Sequence, residues 1–336
     1  MEAETHVAEL PAASPVKAGL LDPGDTLPLV LSPARDRVDL ATWAAENRDY
    51  LEASLLVHGA ILFRGFALAS PSDLERVAAA VCPELFGDYG DLPREGVNGK
   101  VYASTPYPAH QAILFHNESS HLPRWPRKLF FCCLKASETG GETPLLDCRE
   151  VVRRLDPPIF ERFAEKGLTY VRNFCEGIDV SWQHFFKTDD REAVERICAE
   201  GGMRCEWVRG RTLRIRQRAR AVVRHPRTGD AVFFNQVQLH HPHGLDAATR
   251  KALLALFKED GLPRHVHYGD GTPIEDAVMA ELDRLYWRTA RVFPWREGDL
   301  VVLDNMRVAH ARKPFTGARK IVVAMGEMVS ATDVAG

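Results

Sequence analysis

The stretch Phe115–His121, FHNESSH, follows the apolar residues AIL and places two histidines, a carboxylate and an amide close together. The apolar run predicts a buried strand. Polar groups at the end of such a strand are costly unless they are paired or hold a ligand. The pattern leaves three interpretations open: a metal site, acid–base chemistry, or the capping of a loop.

His116 and Glu118 are two positions apart, a spacing that points both side chains to the same face of a strand. An imidazole and a carboxylate at the mouth of a barrel would supply two ligands of the 2-His-1-carboxylate triad, which is typical of non-haem Fe(II) oxygenases. The third ligand must come from a distant part of the chain. His310, which follows the apolar segment DLVVLDN, stands in a comparable place.

Other histidines are alternatives to these ligands. His121 could replace His116, but its position five residues further on places it on the opposite strand face or past a turn. The cluster HHPH at 240–243 has proline and glycine neighbours, which predict a loop. Its histidines are expected to satisfy backbone groups, with substrate contact as the less favoured interpretation.

The overall charge and hydropathy exclude several classes of protein. The formal net charge is −3, so nothing favours a nucleic-acid partner. No apolar run reaches about 18 residues, so no membrane span is expected. The N-terminus lacks a basic-then-apolar secretory pattern, which makes the cytoplasm the expected location. The 7 cysteines include no CxxC pair, as expected of reduced thiols.

The succession of elements predicts an α+β fold. Residues 1–26, rich in Ala, Pro and Glu, are expected to form a flexible N-terminal arm. Residues 27–332 are expected to form a single domain with a helical insertion around 149–260. Within it, the alternating segment 204–234 predicts paired strands joined by the turn HPRTGD. Strand-rich ends around helices indicate a double-stranded β-helix core (jelly roll, cupin-like) with flanking and inserted helices.

Motifs of several other enzyme classes are missing from the sequence. It contains no HExxH zinc motif, no GxSxG elbow, no GxxxxGK[ST] loop and no well-placed GxGxxG. The zinc hydrolase, nucleophile, phosphate-loop and dinucleotide interpretations are therefore disfavoured.

Several longer segments, taken together and in order, carry a family resemblance. They are HGAILFRGF, VYASTPYPAHQAILFHNESSH, TGGETPLLD, HPRTGDAVFFNQ and FPWREGDLVVLDNMRVAHARKPFTGARKIVVAM. They resemble the taurine/2,4-D dioxygenase (TauD/TfdA) superfamily of Fe(II)/2-oxoglutarate-dependent dioxygenases. Within it, the sequence is most similar to the subgroup typified by the SyrP aspartyl hydroxylase of syringomycin biosynthesis and by clavaminate synthase. The resemblance covers residues 55–328.

The resemblance implies Fe(II) held by His116, Glu118 and His310, with 2-oxoglutarate as co-substrate and O2 as oxidant. Arg319, nine residues after His310, stands where the family places the arginine for the far carboxylate of 2-oxoglutarate. A guanidinium suits this task because its planar fork grips a carboxylate with two charge-assisted bonds. Thr143, in GGETP, matches the family threonine that contacts the same co-substrate.

The resemblance also implies the reaction and the kind of substrate. A carboxylate at Glu118 argues for hydroxylation, or for desaturation or cyclisation, because family halogenases have a small residue there. The expected substrate is an amino acid or related small acid, free or presented by a peptidyl carrier protein in natural-product biosynthesis of the nonribosomal peptide type. The candidate substrate contacts are Asn117, His121, Asn235 and Arg312.

Two polar residues at the end of the apolar segment that precedes His310 are predicted to support the site indirectly. Asp304 and Asn305 are expected to fix a loop or to orient a histidine. Two other functions stay open on the sequence alone. One is a cupin-type metalloenzyme that does not use 2-oxoglutarate, and the other is a binding protein that kept the barrel but lost the chemistry.

Overall fold

The structure is a computed structural model that describes residues 10–87, 96–103, 107–175, 177–208 and 212–334. In these ranges the strands are β1 Val16–Leu20, β2 Leu29–Pro33, β3 Ala60–Phe63, β4 Gly96–Asn98, β5 Val101–Ala103, β6 Ile113–His116, β7 Arg124–Lys135, β8 Thr139–Gly140, β9 Leu145–Asp147, β10 Leu168–Asn173, β11 Arg204–Val208, β12 Thr212–Ala219, β13 Val222–Arg224, β14 Ala231–Phe233, β15 Arg264–Tyr268, β16 Leu300–Asp304, β17 Val308–Arg312, β18 Phe315–Thr316 and β19 Lys320–Ser330.

The α-helices in the same ranges are α1 Leu40–Glu46, α2 Arg48–His58, α3 Pro71–Val81, α4 Cys148–Arg154, α5 Pro157–Lys166, α6 Trp182–Phe186, α7 Arg191–Glu200, α8 Val237–His240, α9 Ala247–Phe257 and α10 Asp276–Thr289. Two short 3-10 helices span Pro242–Gly244 and Glu259–Gly261. Within the described ranges, none of the helices has both the length and the apolar character needed to cross a bilayer.

The largest sheet contains eight strands in the order β1-β2-β3-β16-β7-β19-β5-β4, with only the β2–β3 pair parallel. Its central strands are buried on both faces. In β16, Leu300 and Val302 pack in one cluster with residues of α1–α3, whereas Val301 and Leu303 pack in another on the opposite face. A side-chain period of two therefore explains why such a strand reads as one continuous apolar run.

The second sheet has three strands in the order β6-β17-β9 and carries the predicted ligands. Leu145 of β9 and Val308 of β17 share a hydrophobic cluster with Val301 and Leu303 of β16, so the two sheets face each other. Because helices cover the outer face of the large sheet, this is the α+β jelly-roll arrangement that the sequence predicted.

Gly59 sets the close approach between α2 and β17. It ends α2 with a φ of 76° and donates to Leu55 O at 2.8 Å. A Cβ at this position would lie 2.7 Å from Val308 Cγ2. The turn into β3 can therefore press against the strand that carries His310 only because the residue is glycine.

The insertion between β9 and β16 contains strands as well as helices, so its description as helical was incomplete. Strands β10–β14 lie inside 149–260, and β15 completes a four-stranded sheet in the order β11-β12-β10-β15. The predicted hairpin around HPRTGD is confirmed, with Val223 opposite Val232. In β12, Leu213 and Ile215 bury alternate positions in a cluster with residues of α7, which explains the alternating pattern.

The predicted flexible arm is wrong for part of its length. Residues 1–9 lie outside the described residues, but Val16–Leu20 forms β1 and pairs antiparallel with β2. Only Val16 of this strand is buried, so its sequence carries almost no hydrophobic pattern. Backbone hydrogen bonds to β2 hold it as an edge strand. The assignment of 27–332 to a single domain stays a prediction.

Candidate metal centre and co-substrate pocket

The three predicted metal ligands come together beside β6 and β17. His116 ends β6, His310 lies in the middle of β17, and the strand register pairs them, with ring centroids 4.3 Å apart. Glu118 joins them from the turn after β6. One ligand atom from each of the three lies within 4.8 Å of the others. Two imidazole nitrogens and one carboxylate oxygen in this arrangement fit a ferrous ion with open coordination positions.

Glu118 reaches the cluster through a turn, which strand alternation did not predict. β6 ends at His116, so the spacing of two positions does not by itself orient the carboxylate. The fully buried Asn305 accepts a hydrogen bond from Glu118 N at 2.7 Å and donates to Glu118 O and Pro126 O, both at 2.9 Å. This clamp confirms that Asn305 fixes a loop, and the loop is the one that presents Glu118.

A hydrogen bond to the backbone sets the orientation of the His116 ring. Its Nδ1 lies 2.8 Å from Leu114 O, and because a carbonyl only accepts, Nδ1 carries the proton. The Nε2 lone pair is then the one that points away from the backbone. Metal-binding histidines commonly use one ring nitrogen in this way while the other ligates.

Asp304 was predicted to orient a histidine, and it does, but that histidine is not a candidate ligand. Its Oδ2 accepts hydrogen bonds from His225 Nε2 at 3.0 Å and Arg127 Nη1 at 2.9 Å. Its Oδ1 accepts from Met306 N at 2.9 Å, which fixes the turn into β17. Burial alone would raise the pKa of Asp304, but the His225 hydrogen bond and the Arg127 charge lower it to about 2.

Asn117 and Asn235, predicted as substrate contacts, are buried and bonded to the protein itself. Asn117 Nδ2 donates to Asn305 O at 2.7 Å, and its Oδ1 accepts from Asn235 N at 3.1 Å. Asn235 Nδ2 donates to Ala221 O at 3.3 Å. Neither side chain lines the cavity over the triad. Their geometry favours a role in fixing the turn after β6 instead of the predicted substrate contact.

A cavity of about 550 Å³ contains the triad. This volume lies within the usual range for ligand pockets. Its walls come from two parts of the fold, the jelly roll and the insertion. Besides the triad, the jelly roll contributes Thr143, Arg312 and Arg319 to the lining. The lining residues from the insertion include Ile178, Asp179 and Arg264.

Thr143, predicted to contact 2-oxoglutarate, lines this cavity and is held in place by Trp295. The Trp295 Nε1–H donates to Thr143 Oγ1 at 3.1 Å. Because the indole occupies an acceptor position of the hydroxyl, the Thr143 O–H stays oriented as a donor. A ligand carboxylate is a suitable acceptor for that proton.

Arg319 also lines the cavity, and its surroundings favour an anionic ligand. Its Nε donates to Gly141 O at 2.9 Å. Burial, together with the smaller effect of the Arg312 charge, lowers the pKa of Arg319 to about 10. Glu142, an acidic neighbour, is paired with Lys313 at 3.5 Å. A buried guanidinium of this kind needs an anionic partner, and the far carboxylate of 2-oxoglutarate fits.

Arg312, predicted as a substrate contact, lines the cavity but uses its terminal nitrogens to hold a loop. Nη1 donates to Tyr107 O at 3.1 Å, and Nη2 donates to Pro108 O at 2.7 Å and Gln111 O at 2.8 Å. All three acceptors are backbone carbonyls of the segment that leads into β6. Burial lowers the pKa of Arg312. In the described part of the chain, no carboxylate forms an ion pair with it that would offset this effect.

His121, His240 and His241 line the main cavity, a second and smaller cavity, or both. His121 is buried, with its ring centroid 5.6 Å from that of Tyr170 and 5.1 Å from that of His240, and these three border a second, smaller cavity. In the HHPH cluster, His241 Nε2 contacts Ile274 O at 3.0 Å, as expected of a histidine that satisfies the backbone. Burial lowers the pKa of His241 to about 4, so it lines the main cavity as a neutral ring.

Several residues that line the cavity were not predicted from the sequence. Asp179 and Arg264 lie in the insertion, and Phe131, Ile321 and Val323 lie on the inner face of the large sheet. The apolar residues could have been expected from the period of two in β7 and β19. The charged pair could not, because nothing in its local sequence distinguishes it from surface charge.

Comparison with known proteins settles the family. The model of the family "Taurine catabolism dioxygenase TauD, TfdA family" matches residues 25–325. The chain belongs to this family. It is a 2-oxoglutarate-dependent non-haem iron dioxygenase that uses Fe(II), 2-oxoglutarate and O2, as the sequence resemblance implied. Membership removes the two alternatives, a cupin-type enzyme without 2-oxoglutarate and a binding protein without chemistry.

Two relatives support the predicted subgroup. The dapdiamide synthesis protein DdaC of Enterobacter agglomerans is 37% identical over 268 residues, which cover 80% of this chain and 82% of that protein. A clavaminate synthase-like protein of Arabidopsis thaliana is 29% identical over 323 residues, which cover 93% of this chain and 92% of that protein. The likeness to clavaminate synthase is therefore confirmed.

Solved structures support the fold. PvcB of Pseudomonas aeruginosa matches with a TM-score of 0.57 at 18% identity, covering 96% of this chain and 94% of that one. A taurine dioxygenase from Burkholderia xenovorans matches with a TM-score of 0.51 at 16% identity, covering 95% and 93%. At these identities the likeness supports the fold alone, and it confirms the jelly-roll core.

Proposed function

We propose that this oxygenase hydroxylates an unactivated C–H bond of an amino acid or related small acid in natural-product biosynthesis, with the substrate either free or tethered to a peptidyl carrier protein. The supporting observation is that donor atoms of His116, Glu118 and His310 converge within 4.8 Å in a cavity that Arg319 also lines. One relative points toward biosynthesis, since DdaC is a dapdiamide synthesis protein.

The proposed roles divide the cavity between iron and co-substrate. His116, Glu118 and His310 would hold Fe(II), while Arg319 and Thr143 would hold the far carboxylate of 2-oxoglutarate. When bound, iron and 2-oxoglutarate supply the oxidising chemistry: with O2, 2-oxoglutarate becomes succinate and carbon dioxide, and a substrate C–H bond gains the remaining oxygen atom. A carboxylate at position 118 favours hydroxylation over halogenation.

The protein's own contribution is to position groups and exclude water. Asn305 fixes the backbone of Glu118 from both sides, so the carboxylate keeps its direction without a ligand. Phe131, Ile321 and Val323 form an apolar wall of the cavity and limit the access of water to the reacting groups. Arg312 fixes the segment that leads into β6 and its ligand His116 through hydrogen bonds to backbone carbonyls.

A succinate-release assay tests the proposal. Purified protein with Fe(II), 2-oxoglutarate and O2 is assayed against free amino acids and against the same amino acids loaded on a carrier protein. We expect slow succinate release without substrate and a clear increase with one substrate class. The variant Glu118→Ala should lose hydroxylated product, because an anionic ligand is removed. His121→Ala is the matched control, since that residue lies outside the main cavity. Near-normal hydroxylation by Glu118→Ala contradicts the ligand assignment.

Product analysis separates hydroxylation from its alternatives. The same oxidant can desaturate or cyclise a substrate. A product that has gained one oxygen atom supports hydroxylation, whereas a product that has lost two hydrogens without gaining oxygen supports desaturation or ring closure. Mass spectrometry of the substrate-dependent product decides between them.

A further inference from the structure

The cavity contains a cation that the iron and 2-oxoglutarate roles do not use. Arg264 begins β15 in the insertion and lines the same cavity as the triad. Its side chain retains 26% of its exposure. Thr143, Arg312 and Arg319 come from the jelly roll, so Arg264 supplies positive charge from a different part of the fold.

Arg264 is held by a short chain of ionic contacts. Its Nη2 lies 3.5 Å from Asp179 Oδ1. The Asp179 carboxylate is in turn gripped by Arg172, with Nε at 2.8 Å from Oδ2 and Nη2 at 3.0 Å from Oδ1. The Arg172 guanidinium lies 4.8 Å from the Phe174 ring centroid and 4.7 Å from that of Phe185. The two rings therefore hold Arg172 in place. Arg172 positions the Asp179 carboxylate, and this carboxylate positions Arg264.

The charge of Arg264 is only partly balanced by the protein. Asp179 is the only carboxylate within ion-pair distance of it among the described residues, and Asp179 already accepts two shorter bonds from Arg172. Leu262, Pro263 and Ile178, which line the same cavity, are apolar. A cation beside apolar walls attracts an anion more strongly than one in open water.

We propose that Arg264 binds an anionic group of the substrate, a carboxylate or a phosphate ester, and that Asp179 is the residue that positions it. This inference rests on the proposed function, because it concerns the substrate of the same site. It restricts the candidate substrates to compounds that carry an anionic group in addition to the reacting C–H bond. A free amino acid offers a carboxylate, and a carrier-bound amino acid, whose carboxylate is consumed in the thioester, offers the phosphate of the pantetheine arm.

Matched substrate pairs test this assignment and distinguish the two sources of the anion. One pair is each L-amino acid and its methyl ester. The other pair is the aminoacyl thioester of phosphopantetheine and that of pantetheine without the phosphate. Substrate-dependent succinate release gives KM for each compound with the wild type, Arg264→Gln, Arg264→Lys and Arg216→Gln. Arg216 is the matched control, since it lies on β12 with its Nη1 3.2 Å from Glu206 and does not line the cavity.

We expect the wild type to prefer the anionic member of one pair. Arg264→Gln should raise KM for that member by about tenfold to hundredfold, the equivalent of one lost charge-assisted hydrogen bond, and should leave its neutral partner unchanged. Arg264→Lys should recover part of the preference, and Arg216→Gln should keep all of it. Neither Arg264 variant should change KM for 2-oxoglutarate, which separates this role from that of Arg319.

Two results overturn the inference while leaving the proposed function intact. One is an unchanged preference in Arg264→Gln. The other is a wild type that discriminates within neither pair although it still converts 2-oxoglutarate to succinate. Failure of the proposed function looks different: the wild type, loaded with Fe(II), then releases no succinate with or without any compound of the panel.

Discussion

Arg319 offers the sharpest test of the co-substrate assignment, through the substitution Arg319→Gln. Its Nε is already bonded to Gly141 O, which leaves the two terminal nitrogens for a carboxylate. Each hydrogen bond to a charged group is worth about 1.5–3 kcal/mol, so losing two costs at least ~3 kcal/mol. Since each 1.36 kcal/mol is about tenfold, KM for 2-oxoglutarate should rise at least ~100-fold. At saturating co-substrate, kcat should change little, because the lost contact is remote from the reacting atoms.

Thermal unfolding gives the same substitution a second readout. Burial lowers the pKa of Arg319, which means that the charged form is disfavoured in the unliganded protein. Arg319→Gln should therefore unfold at the same or a higher temperature without ligands, yet gain less stability when Fe(II) and 2-oxoglutarate are added. Lys320→Gln is the control, because Lys320 is exposed and does not line the cavity. A KM for 2-oxoglutarate that rises by less than about fivefold, as for a surface ion pair, refutes the reasoning.

Three further substitutions test the supports of the site. Asn305→Ala leaves Glu118 N–H without its partner, so the free energy of unfolding should fall by about 1–3 kcal/mol per unsatisfied group and Fe(II) should bind more weakly. Unfolding with and without iron measures both effects, and unchanged values would exclude the clamp. The lowered pKa of Asp304 contributes stability that is present above pH ~4 and lost as pH falls towards ~2, so Asp304→Asn should flatten the denaturation profile in that window. Gly244→Ala places a Cβ 2.7 Å from the backbone oxygen of Gln238 and 2.6 Å from Leu114 Cδ1, so it should cost about 1–3 kcal/mol; a variant as stable as wild type would show that the backbone at Gly244 can shift.

The sequence predicted the parts of the site that local pattern and order along the chain determine. The apolar run before His116 forms β6, and the apolar segment before His310 forms β16, as predicted. His310 itself lies on the next strand, β17, and the pairing of β17 with β6 brings the two rings together. That Asn305 fixes a loop was also foreseeable from its place at the end of an apolar strand, but the identity of that loop was not. The end of an apolar strand is visible in the local sequence, whereas the pairing of β6 with β17 is not.

Other parts depend on contacts between distant segments and could not be read from the sequence. Strand alternation alone would not place Glu118, because β6 ends at His116 and the clamp comes from a residue 187 positions away. Asn117 looked like a cavity residue by position, but its amide bonds to Asn305 and Asn235. The strand Val16–Leu20 buries one side chain only, so its composition resembled that of a disordered arm.

The contacts among Arg172, Asp179 and Arg264 in the insertion also could not be predicted from the sequence. Arg172 and Arg264 stand opposite each other in the register of β10 and β15, although they are far apart in sequence. Only the pairing of these strands reveals that one arginine is occupied by Asp179 while the other faces the cavity. The substrate recognition that we propose for Arg264 therefore depends on the fold of the insertion.

Anaerobic Fe(II) binding by equilibrium dialysis tests the central claim most directly, with wild type, Glu118→Ala, His310→Ala and the control His121→Ala compared at one pH. The account predicts one tightly bound ferrous ion per chain in the wild type and in His121→Ala. It predicts that both ligand variants lose this binding while their far-UV circular dichroism stays native. A folded His310→Ala variant that still binds one Fe(II) as tightly as the wild type would contradict the claim that these three side chains share one metal ion.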